Sequence, residues 1–98
     1  MKGLRFDWDP RKAAANRRKH GVSFEEARSV FLDEEALLIA DPDHSELEDR
    51  FILLGLSVER RLLVVVHAHR EQEDVIRLIS ARKADRQEQQ IYSRRRSI

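Results

Sequence analysis

The stretch VIRLISARK, Val75 to Lys83, reads as a β-strand that carries two arginines and ends in a lysine. Arginine grips phosphate with a planar, bidentate fork, so Arg77 and Arg82 are candidates for binding a polyanion, with Lys83 adding charge. Side chains alternate along a strand. Val75, Arg77, Ile79 and Ala81 are therefore expected on one face, and Ile76, Leu78, Ser80 and Arg82 on the other. Each set is otherwise mostly apolar, so a guanidinium among each needs an explanation. The plain alternative is an arginine that lays its stem on apolar neighbours and sends its charge to water or to a carboxylate.

The groups able to exchange protons near neutral pH are few. His67 and His69 share a strand face at i and i+2, and an unperturbed histidine titrates near pH 6.5. The competing account of His67 is a half-buried ring bonded to a backbone carbonyl. The same spacing can seat a metal with His44 or Asp43, but no cysteine or obvious third ligand supports one. Lys19-His20-Gly21 closes a helix. Cations there complement the helix dipole, yet Lys19 or His20 can also face a ligand at the sheet's edge. Arg50 opens a strand beside Glu48 and Asp49, which makes a structural ion pair a good alternative to phosphate binding. Tyr92 lies four residues after Glu88 and can pack, stack on a base or supply a phenol. Trp8, Phe6, Phe24, Phe31 and Phe51 read as core.

The elements that must position these groups follow from local signals. Leu4 to Trp8 alternates as a short strand. Asp9 and Pro10 open a helix that runs to about His20, with Gly21 past its end. Ser23 and Glu26 form a capping box for a second helix, which Val22 staples onto Ala27 and which stops near Asp33. Ala36–Ala40, Arg50–Ser57, Leu62–His69 and Val75–Arg82 read as strands joined by short turns. Asp85 and Glu88 cap a final helix to about Arg94, and the tail SRRRSI, residues 93–98, is expected to fray. The order β-α-α-β-β-β-β-α predicts one α+β domain, residues 1–98: an antiparallel meander with helices on one face.

Ninety-eight residues bury only about 60–65% of the surface that the unfolded chain exposes, which favours an open cleft over a deep pocket. The chain has no cysteine, which excludes disulfides and thiolate metal sites and fits a reducing cytosol. The N-terminus shows no signal peptide, and the longest apolar run, Leu62 to Val66, is too short for a bilayer. Net charge is +1 but unevenly spread. Glu25 to Asp49 holds ten acids against Arg28 alone, and Arg77 to Ile98 holds seven bases against two acids. The basic end suits a polyanion and the acidic middle a basic protein partner. No glycine-rich phosphate loop or GxSxG elbow is present.

Four stretches together carry a family resemblance: FDWDPRKAAANRRKHGVSFEEA, DPDHSELEDRFILLG, LLVVVH and IRLISARKADRQEQQIY. In order, and over nearly the whole chain, they resemble the BrnT-type toxins of bacterial type II toxin–antitoxin modules. The resemblance implies a RelE-like fold and a cytoplasmic ribonuclease that blocks translation. It also implies a BrnA-like antitoxin whose ribbon-helix-helix part binds DNA, so that DNA is met only through that partner.

Cleaving RNA without metal or cofactor requires a base for the 2′-hydroxyl, an acid for the leaving 5′-oxygen, and cations for the charge that builds on phosphorus. The candidate catalytic residues are His67, His20, Arg77, Arg82 and Tyr92. Lys19, Lys83 and Arg50 are candidates for holding RNA. The expected arrangement is one patch on the uncovered face of the sheet, giving a 2′,3′-cyclic phosphate. The alternative is a non-catalytic RNA-binding module or a co-repressor subunit.

Overall fold

The computed structural model describes residues 4–42, 49–70 and 74–96, without the side chains of Arg70 and Arg96. Its elements are β1 (Arg5–Asp7), α1 (Pro10–His20), α2 (Phe24–Ser29) with a 3₁₀ turn at Val30–Leu32, β2 (Leu37–Ala40), β3 (Asp49–Leu56), β4 (Leu62–Arg70), β5 (Val75–Lys83) and α3 (Arg86–Arg96). This is the predicted order. α3 continues through Arg96, so Ser93 to Arg96 is helical rather than frayed. Asp43, His44 and Glu48 lie outside the described residues.

The predicted caps set the helix ends. Asp9 accepts from the Arg11 amide, Pro10 starts α1, and Gly21 adopts a left-handed φ of 69° past its end. Asp85 and Glu88 make a reciprocal capping box, each side chain accepting from the other's amide at 2.8 Å. The box at α2 is half made. Ser23 Oγ accepts from the Glu26 amide, but the Glu26 carboxylate turns away to Ser57 and Arg61.

The sheet order is β1-β5-β4-β3-β2. β2 to β5 form the antiparallel meander, and β1 adds at its edge parallel to β5, which makes the sheet mixed. α1 and α2 cover one face, where Val22, Phe24, Ala27 and Val30 pack on Leu53, Leu63, Val65, Leu78 and Ala81. Gly55 keeps this contact close, because a Cβ there would come within 2.8 Å of Val30 and Ala36. The other face is not bare along its whole length. Tyr92 of α3 packs there with Leu54, Val64 and Ala84. The helices thus divide between two faces, where the sequence predicted one.

A bulge corrects the expected parity of β5. Val66 pairs with Ser80 but His67 with Leu78, so Ile79 is an extra residue. The register resets around it. Arg82 lies opposite Val64 and Arg77 opposite Ala68, which puts both arginines on the face that α3 partly covers. The outer edge of β5 is satisfied in two ways. β1 pairs with Val75–Arg77, whereas at Ala81 the Asn16 side chain takes the place of a strand. Its amide donates to Ala81 O at 2.8 Å and accepts from Ala81 N at 3.0 Å.

Candidate functional site: a cationic groove at the end of β5

β5 ends in Arg82 and Lys83, and beside it the β3–β4 hairpin brings Arg60 and Arg61. Arg60 holds a left-handed φ of 61° in the turn. Together with Leu56, Leu62, Gln89, Tyr92 and Ser93, residues Arg60, Arg61 and Lys83 line a groove of about 510 Å³. Cations line its walls, with leucines and a tyrosine ring among them. This combination suits a sugar–phosphate chain with an attached base.

Carboxylates hold the cations in place. Glu26 is buried and bonds Arg61 through both oxygens, and Arg61 also donates to Gly21 O at 3.1 Å. This contact holds the Glu26 carboxyl below the usual carboxylate range, with Ser57 and the charge of Lys83 helping, and raises Arg61. Arg82 makes a two-pronged contact with Glu88, both at 2.8 Å. The same bonds lower Glu88 and raise Arg82. Tyr92 is 6% exposed, and its hydroxyl donates to Asp33 Oδ2 at 2.6 Å. That carboxylate oxygen also accepts from the Leu56 amide.

Lys19 and His20 belong to this end of the molecule. β1 and β5 run in parallel, and α1 follows β1 until Asn16 sits level with Ala81. The last turn of α1 therefore reaches the end at which β5 finishes, and Gly21 joins it to Arg61. Lys19 is exposed and His20 half-buried.

The remaining candidates lie elsewhere. Arg77 and Arg50 flank Ala68 on adjoining strands of the same face, in register. Their row is four residues of β4 away from that of Arg82, about 13 Å at the usual rise. Arg77 stands 3.6 Å from Asp7 and Arg50 Nε 3.6 Å from Asp41. The Arg50 Nε is buried and makes no hydrogen bond within the described residues. His67 is on the opposite, helix-covered face. It is 3% exposed, its ring 4.8 Å from that of Phe31 and 6.0 Å from that of Phe51, with Nδ1 3.4 Å from Val65 O. Burial pushes its pKa below the ordinary 6.5. The expected single patch is therefore divided: Arg82, Lys83, Tyr92, Lys19 and His20 gather at one end, Arg77 and Arg50 stand apart, and His67 is enclosed. Among the described residues no group of three His, Cys, Asp or Glu side chains is placed to hold a metal. Among the same residues no helix is long and apolar enough to cross a membrane.

Sequence reasoning missed Arg60, Arg61, Glu26, Asn16 and Asp33. The turn VERR just before the most β-prone strand was the available signal for the two arginines. Nothing local pointed to Glu26 and Arg61 as partners, since they are 35 residues apart.

The comparisons with known proteins agree with this architecture. No curated protein matches the chain. The 1.1 Å crystal structure of the Brucella abortus ribonuclease toxin BrnT is similar in fold, with a TM-score of 0.63 at 20% identity, covering 86% of this chain and 100% of that one. The profile of the family described as "Ribonuclease toxin, BrnT, of type II toxin-antitoxin system" matches residues 8–88. The chain belongs to the BrnT family of ribonuclease toxins of type II toxin–antitoxin systems.

Proposed function

We propose that the chain is an endoribonuclease that needs no metal and works in the groove at the end of β5. The 2′-hydroxyl attacks the adjacent phosphorus, the bond to the 5′-oxygen breaks, and the products are a 2′,3′-cyclic phosphate and a 5′-hydroxyl end. Arg60, Arg61, Arg82 and Lys83 offset the charge that builds on phosphorus. His20 is the histidine at this end and moves the protons, with Lys19 beside it. Tyr92, packed on Leu54 and Val64 with its hydroxyl fixed by Asp33, forms part of the groove's wall. Arg77 and Arg50 hold phosphates further along the strand. His67 serves the core in this reading. The observation that carries the proposal is that Arg60, Arg61 and Lys83 line one groove, Arg61 braced by Glu26, with Arg82 held by Glu88 on the adjoining residue of β5.

Cleavage of cellular RNA then stops translation in the cytoplasm. The antitoxin is a BrnA-like ribbon-helix-helix protein through which the pair meets DNA. The test is incubation of the chain, freed of antitoxin, with RNA in EDTA. New 2′,3′-cyclic phosphate ends are expected. Intact RNA beside a folded protein overturns the cleavage reading.

A second reading draws on the same braces. Arg61 and Arg82 are already bonded to carboxylates and His67 is enclosed, which also suits a module that binds RNA or acts as a co-repressor without cutting. Retained RNA binding with loss of cleavage in His20→Ala supports the enzyme. Binding without cleavage by the unaltered chain supports the module.

A further inference from the structure

A different surface, on the helix side, is apolar and edged with acids. Two adjoining hollows share Ser29 and Leu32. One, of about 340 Å³, is lined by Leu4, Phe6 and Phe31 between Glu25 and Arg28. The other, of about 190 Å³, runs on to Val58. Leu32 is 74% and Val58 68% exposed. Large aliphatic side chains displayed along a continuous hollow mark a contact surface.

Acids dominate the segment that forms most of the strip, although Arg95 reaches the Glu35 carbonyl at 3.0 Å and Arg60 follows Glu59. Residues 25–42 hold six acids and a single base, Arg28, whose guanidinium lies 5.4 Å from the Phe6 ring. Glu26 and Asp33 point inward to partners already described. Glu25, Glu34 and Glu35 are exposed near Leu32, and Glu59 is exposed next to Val58. Such a surface disfavours RNA and attracts a cationic protein segment. It meets the groove at the end of β5 only at Leu56, and the charges of that groove are of the opposite sign.

We propose that this strip is where the antitoxin docks, through an amphipathic segment that sets apolar side chains into the hollows at Phe31 and Leu32 and lysines or arginines against Glu25, Glu34, Glu35 and Glu59. The proposal rests on membership of a type II toxin–antitoxin family for the partner's existence. The surface itself follows from exposure and charge. The charged groups proposed for partner binding, Glu25, Glu34, Glu35 and Glu59, are then different from those proposed for RNA cleavage, while Leu56 borders both surfaces.

The test is calorimetric titration of the chain with antitoxin purified from the co-expressed pair. Leu32→Ser combined with Val58→Ser alters only exposed positions and is expected to raise the Kd at least tenfold, while cleavage by the free toxin stays within twofold. Glu34→Lys with Glu35→Lys is expected to raise the Kd severalfold and to flatten its salt dependence. An unchanged Kd in both variants overturns the proposal. Self-association of the chain alone that Leu32→Ser abolishes overturns it in favour of a second copy. Both Kd changes in a chain that never cleaves RNA keep the docking surface and overturn only the ribonuclease reading.

Discussion

The two ends of β5 carry the same side chain in different settings. At the Arg77 end, β1 supplies a true strand neighbour, and the guanidinium stands 3.6 Å from a half-exposed Asp7. At the Arg82 end no strand follows. Asn16 stands in for one, and Glu88 grips the guanidinium with both oxygens at 2.8 Å. Where the backbone has a regular partner, the arginine is loosely held. Where the backbone edge is held by a side chain, the arginine is fixed. A fixed guanidinium loses less entropy when it meets a phosphate, which favours the Arg82 end as the reactive one.

The largest expected difference between the ends is in cleavage. Arg82→Ala is expected to lower kcat about 100-fold and Arg77→Ala about tenfold, because in the proposed mechanism only the former loses a charge next to the reacting phosphate. Equal losses in RNA cleavage assays would remove the distinction. The next effect is on stability. Asn16→Ala leaves the Ala81 amide and carbonyl without their partner in the interior, and is expected to cost about 2–3 kcal/mol in urea denaturation. A cost below 1 kcal/mol would mean that Asn16 does not replace a strand.

Acid tests the braces at the Arg82 end. Glu88 and Glu26 are held below the ordinary carboxyl value of 4.5 by bonds to Arg82 and Arg61. Their stabilisation is complete above that value and is lost as pH falls through the lower folded value. Glu88→Gln should therefore flatten the acid limb of stability below pH 4.5. His67 acts higher on the scale. Its folded pKa lies below 6.5, so its contribution is complete above pH 6.5 and declines as pH falls toward the folded value. His67→Leu should remove that decline in denaturation midpoints measured between pH 5 and 7. The smallest effect belongs to the open pair: Arg77→Ala is expected to cost less than about 1 kcal/mol of stability.

Much of the path to these elements was legible locally. Asp9-Pro10, Gly21, Ser23 and the Asp85–Glu88 pair marked helix ends through interactions spanning four residues or fewer, and these formed. Alternation located the strands. The candidate site was harder to read. Arg82, Lys83, Tyr92, Lys19 and His20 were identifiable by residue type, but the groove that Lys83 and Tyr92 line depended on Arg60 and Arg61 in a hairpin that local signals treated only as a connection. His67 was chosen for its chemistry, yet its strand face lies under Phe31.

What the sequence by itself determined was the order of elements, their caps and the separation of an acidic middle from a basic end, because each depends on neighbours along the chain. Which face each arginine takes was decided only in three dimensions. The extra residue Ile79 between the pairs Val66–Ser80 and His67–Leu78 reverses the alternation, and a bulge exists only when a partner strand defines the register. The same holds for Glu26 and Arg61, which meet because burial denies the Glu26 carboxylate water and a guanidinium within reach satisfies its charge.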